Sequence, residues 1–330
     1  MGGGGRFADI RRLPSAFVDR LISWVRGHPG VSHKSRVKTG RLLFFVPAVF
    51  LAIFFVVYPV LQTVFLGFFS GDPGSSGAYS GLDNYGRVIS DPATINAKNL
   101  PWPPPLGTLL HNALWIGIHL PISLFAGLWL ALILRDVRGA SIIKSFIFLG
   151  MVTPMIVGGV ILRFLLEQGI GIVPSFFGLI GVKSLDVNWI VRRQLTLLGL
   201  IFGSVWLWTG FSLIVYSAGL TTIPKDYFEA ARVDGTSPSR IFFRIAFPLL
   251  KPITLVIVVM TLLYELKIFD VVYVAVGPDG GTLGSADVLA LQMYRYGFIA
   301  FNSGLAAAVA SLLTLMTLFA TLLVLRRMVK

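Results

Sequence analysis

Hydrophobic residues fall along this chain in long blocks and not in short alternating runs. Six blocks reach the roughly 20 apolar residues needed to cross a ~30 Å hydrocarbon core. They lie at 42–68, 108–134, 141–165, 195–220, 253–275 and 304–325. The pattern predicts an all-α integral membrane protein of six transmembrane helices. The third and fourth blocks contain prolines and glycines, which membrane helices tolerate where neighbours re-satisfy the freed backbone groups. The segment 69–107 is rich in Gly, Pro and Ser and too broken for a long helix. The segment 166–194 is apolar but short, and reads as a surface or re-entrant helix.

Composition agrees with this pattern. The chain is 55% hydrophobic and 13% charged, about half the charge of a soluble domain. There is no cysteine, so disulfides, thiolate metal sites and cysteine nucleophiles are excluded. His28, His33, His111 and His119 are scattered. For the pair in the second block, interhelical hydrogen bonding is expected rather than a metal site.

The net charge of +13 changes meaning once it is mapped. Twenty Lys and Arg fall in alternate inter-block segments on one side and six on the other. This positive-inside bias predicts both termini in the cytoplasm and argues against nucleic-acid binding. Residues 1–41 hold nine of these cations and form a basic cytoplasmic tail ahead of a permease domain at 42–330. Within the tail, Leu13, Phe17, Leu21 and Trp24 stand at helical spacing, which suits a helix on the membrane surface; a disordered basic tail is the other reading. The first block begins too late and runs too long for a signal peptide, and Arg6 stands where a myristoylation motif needs Ser or Thr.

The longest inner loop, 221–252, carries the most information. Thr222 can cap a helix that Pro224 helps to start, with Asp226 and Glu229 in its early turns. Gly235 supplies a left-handed stop. Ser237 and Pro238 then open a second helix, which Pro248 is expected to end. A compact helix–Gly–helix unit between two spans suits a docking element; a loop packed on its own bundle is the alternative.

Glu229, Ala230, Ala231, Asp234, Gly235, Ile245 and Pro248 stand at the spacing of the Glu-Ala-Ala…Gly…Ile…Pro loop of ABC importer permeases. The segment resembles that family's signature over some twenty residues, with Thr236 where Ala is more usual. The resemblance implies that the short helix seats on a cytoplasmic ATP-binding subunit and passes on its motion. The chain itself lacks a Gly-x-x-x-x-Gly-Lys-Ser/Thr phosphate loop, so it is expected to be no enzyme and to carry no cofactor. ATP and Mg would sit on the partner.

Three further stretches, 81–92, 267–282 and 294–311, are similar to the carbohydrate branch of that family, extending the resemblance over about 80–310. It implies half of a pathway for a di- or oligosaccharide in a bacterial or archaeal plasma membrane. Two ATP-binding subunits, a second and non-identical permease, and an external solute-binding protein would complete the assembly. Carried over by position, the pathway candidates are Trp206, Leu207, Phe211, Tyr264 and Lys267. Intramembrane charges are costly and face cavities or partners. Glu265, Lys267 and Asp270 are such charges; Lys267 and Asp270 are spaced to pair on one helix face, and Glu265 needs another partner. No metal site is expected. Other solutes, such as a phosphorylated polyol or a polyamine, remain open. An ion-coupled secondary transporter would want repeat symmetry and would leave the loop unexplained.

Overall fold

The computed structural model describes residues 45–71 and 77–328. The basic tail and its surface helix lie outside the described residues. The chain divides into two units, 1–62 and 63–330. In the first, the described part is apolar helix, the beginning of α1 (Phe45–Leu66).

Among its described residues, the second unit is built of helices and one small hairpin, β1 (Phe69–Ser70) paired with β2 (Ala78–Tyr79). Its helices are α2 (Asp83–Ser90), α3 (Thr108–Ile133), α4 (Ala140–Val152), α5 (Met155–Leu166), α6 (Ile172–Leu179), α7 (Arg193–Thr222), α8 (Lys225–Val233), α9 (Pro238–Leu266), α10 (Asp270–Val276), α11 (Leu289–Tyr294) and α12 (Ser303–Met328). Among the described residues, α1, α3, α7, α9 and α12 are each long and apolar enough to span a membrane. The third expected span is the bent pair α4–α5, which turns by 97°. The break has a cause in sequence: Thr153 is extended ahead of Pro154, because a proline ring excludes the residue before it from helical geometry.

At the centre stands α7, whose 30 residues pack against α3, α4, α5 and α9. Apolar attraction alone cannot hold helices together in lipid, so close van der Waals approach must. Gly127 of α3 lies directly on Ser212 of α7, and a Cβ on Gly210 would stand 2.9 Å from the Ile147 carbonyl oxygen of α4. Leu162, Leu166, Leu197, Leu200, Leu207, Val271 and Val272 fill one core beside this seam. A second core joins α3, α7 and α9 through Leu128, Leu213, Tyr216 and Leu250.

Two expectations at the inner loop are corrected. Thr222 does not cap the first loop helix; it is the last residue of α7, and its hydroxyl donates to the Gly219 carbonyl at 2.8 Å. Pro248 does not end the second. That helix runs on as α9, and a π turn at Phe242–Ala246 ends two residues before the proline. The wider turn takes up the ring that would otherwise collide with the carbonyl four residues back. Loop helix and fifth span are therefore one rod, which ends at Leu266 instead of reaching 275.

Replacing Gly127 by Val should lower the thermal midpoint of the detergent-solubilised chain, at a cost of about 1–3 kcal/mol for overpacking. Gly117 has open space at its Cβ position, and Gly117→Ala should leave that midpoint almost unchanged.

Candidate functional site

The loop is built on two buried side chains. Phe228 and Ala231 of α8 point into the second core with Ile223, Ile241 and Ala246, and the Arg135 guanidinium sits 4.1 Å above the Phe228 ring. Gly235 has φ +71°, and the amides of Gly235 and Thr236 bond to the carbonyls of Arg232 and Ala231, closing α8. Ser237 stands just before α9 with extended backbone, though its hydroxyl meets Ser239 instead of a helix amide. The opposite face of α8 is open to solvent. Glu229, Ala230 and Asp234 are exposed, flanked by Tyr227 at 56% and Val233 at 88%. Ile245 is half-buried and Pro248 exposed on α9.

A cavity of about 380 Å³ lies among α5, α7 and α9, lined by Met155, Trp208, Met260, Tyr264, Lys267 and Asp270, among others. Its floor is a stacked pair: the rings of Trp208 and Tyr264 lie 4.2 Å apart at 11°. The Trp208 indole N–H donates to Thr261 Oγ1 at 2.7 Å, fixing the ring. An aromatic plane beside a cation and an anion offers an apolar face and polar edges in one space.

The sequence-derived pathway residues separate here. Tyr264 and Lys267 line the cavity. Leu207 is fully buried in the core against Gly158. Trp206 packs over Gly150, and Phe211 packs against the second core beside Trp208. Trp208, Met155 and Asp270 are cavity residues that positional transfer missed. Trp206 and Trp208 differ by two positions on a helix, about 200° of rotation. Without a known packing partner, sequence could not choose between them.

The charges also resolve. Glu265 and Lys267 stand at the end of the fifth span, not at its middle. No ion pair joins Lys267 to Asp270 among the described residues. Helical spacing is lost there, since the chain leaves α9 at Lys267 and re-enters a helix only at Asp270. Glu265 is completely buried and meets His119, Nδ1 to Oε1 at 2.7 Å. Two turns back along α3, Asn112 donates to the carbonyls of Glu265 (2.9 Å) and Leu266 (3.4 Å) and accepts the Leu289 amide (2.9 Å). His111 accepts the Leu106 amide at Nε2, so its Nδ1–H donates to the Asp287 carbonyl at 2.7 Å. Beyond the spans, burial pushes the Asp287 carboxyl up to about 6, opposed by its bond from Arg295.

Truncating His119 to Ala should cost about 3 kcal/mol, because it leaves the Glu265 carboxyl buried without its partner. The double variant with Glu265→Leu should be less destabilised than the two single effects added, as a thermal double-mutant cycle would show.

The profile of the family described as binding-protein-dependent transport system inner membrane component matches residues 123–329. A probable ABC transporter permease protein of Pyrococcus horikoshii is 51% identical over 287 residues, 86% of this chain and 96% of that protein. The lactose transport system permease of Rhizobium radiobacter is 27% identical over 258 residues, 78% of this chain and 82% of that one. The fold matches a chain in the crystal structure of a bacterial ABC transporter that imports the acidic polysaccharide alginate, with a TM-score of 0.70 at 18% identity. The match covers 96% of this chain and all of that one. The chain therefore belongs to the family of inner membrane components of binding-protein-dependent transport systems, the permeases of ABC importers.

Proposed function

We propose that this permease carries a sugar, handed over by an external binding protein, through the space beside Trp208 and Tyr264, driven by cytoplasmic ATP-binding subunits docked on α8. The observation that carries the reading is the two-faced character of α8. Phe228 and Ala231 root it in the bundle while Tyr227, Ala230 and Val233 stand open. A helix held on one side and bare on the other fits a partner's groove. The face also holds Glu229, Asp234 and Gly235 at the signature positions.

The assembly has two ATP-binding subunits, which hold the ATP and Mg, and a second, non-identical permease. Both termini and α8 lie on the cytoplasmic side of the plasma membrane of a bacterium or archaeon, as the charge bias supports. A sugar is favoured over other solutes by the stacked aromatic pair with Lys267 and Asp270 at its edge. The relationship to a lactose permease supports the same class. Substrate affinity that differs between the two conformations is what couples transport to the ATPase cycle.

Glu229→Lys, or Gly235→Pro, should reduce uptake and binding-protein-stimulated ATP hydrolysis to background, with the chain still inserted in the membrane. Normal uptake by both variants would remove the docking role. Trp208→Ala should lower uptake about tenfold, equivalent to ~1.4 kcal/mol, while ATP hydrolysis stimulated by the binding protein persists.

A further inference from the structure

A second concavity, of about 620 Å³, lies between α3 and the start of α9. Every residue lining it is apolar, among them Phe125, Ala126, Trp129 and Leu132 of α3 and Phe242 of α9. Phe125 is 62% exposed and Trp129 64%. Helix–helix contacts in a bilayer favour small residues that bring backbones together, as α7 does with Gly127 and Gly150. Here only Ala126 is small. A wall of bulky, uneven side chains is a poor seat for a helix and a good one for a deformable hydrocarbon chain.

Past the C-terminal end of α3 the chain turns basic. Trp129 stands four residues before the end of α3, where tryptophans mark the boundary between hydrocarbon and headgroups. One turn beyond Leu132 is Arg135. Its guanidinium carbon lies 4.1 Å from the centre of the Phe228 ring, and a guanidinium held over a ring keeps N–H donors for an anion. Across 135–144 and 225–251, eight Lys and Arg stand against four acidic residues. None of these forms an ion pair within 4.0 Å among the described residues.

We propose that this groove binds one anionic phospholipid, with an acyl chain along α3 and its phosphate on Arg135. Because Arg135 also covers Phe228, the root of α8, the lipid reaches the docking loop directly. The site is independent of the transported solute.

The test is tryptophan quenching in the full chain reconstituted into phosphatidylcholine vesicles. Bromine is placed on the acyl chains of added phosphatidylglycerol in one set and of phosphatidylcholine in the other. The share of emission due to Trp129 is the difference between wild type and Trp129→Phe. That share should be quenched at about fivefold lower mole fraction of the brominated anionic lipid. Arg135→Gln should abolish the preference. Ala126→Leu, which fills the groove without touching Arg135, should reduce quenching by both lipids. Equal quenching by both lipids in the wild type, or a preference that survives Arg135→Gln, would overturn the proposal. So would a Trp129 that neither lipid quenches, since a second copy of the chain would then cover the groove.

Discussion

In hydrocarbon no backbone N–H or C=O can be left without a partner, and the break after the fifth span meets that demand through one side chain. Asn112 is completely buried, and its single amide satisfies two terminal carbonyls of α9 and the amide that opens α11. With those groups paired, α9 can stop at Leu266, and the chain can turn through Lys267–Phe269 at the rim of a cavity. His119, two turns along the same helix, bonds the Glu265 carboxyl. Second span and broken fifth span are thereby locked together where the cavity is formed.

The cavity and the loop are connected by two continuous helices. Trp208 lies on α7, which leads into the loop; Thr261 and Tyr264 lie on α9, which leads out of it. From Trp208 to Thr222 is about 21 Å along the helix at 1.5 Å per residue. Pro248 sits behind a π turn and Pro252 lies inside the helix, yet α9 runs on from the loop to Tyr264. The glycine seams at Gly127 and Gly210 hold α7 against α3 and α4. Phe228 and Ala231 prevent α8 from moving independently of the helices beside it.

Much of this was legible in the chain. Most span positions, the helix–Gly–helix loop and the need of Glu265 for a partner follow from hydropathy, from Gly235 and from the cost of buried charge. What was not legible depends on packing. The choice between Trp206 and Trp208 rests on which face of α7 meets α4 and α5, and apolar residues surround that helix on all sides. The continuation through Pro248 rests on a π turn that leaves no periodic signal. Asn112 and His119 show as polar residues in an apolar block, yet nothing in the order of residues says that both reach the end of α9 some 150 positions later. Long-range pairing of single polar groups in a membrane bundle is set by tertiary structure alone.

Drive through α8 requires an ATP-binding subunit to cover it, and the absence of cysteine allows a direct test. Val233→Cys places a lone thiol on the open face of α8, and Tyr79→Cys places one on the exposed hairpin at the other end of the bundle. Maleimide labelling rates are then compared for the permease alone and for the assembled transporter. Strong protection of position 233 on assembly, with position 79 unchanged, is the predicted result. Equal labelling of position 233 in both states would contradict the account.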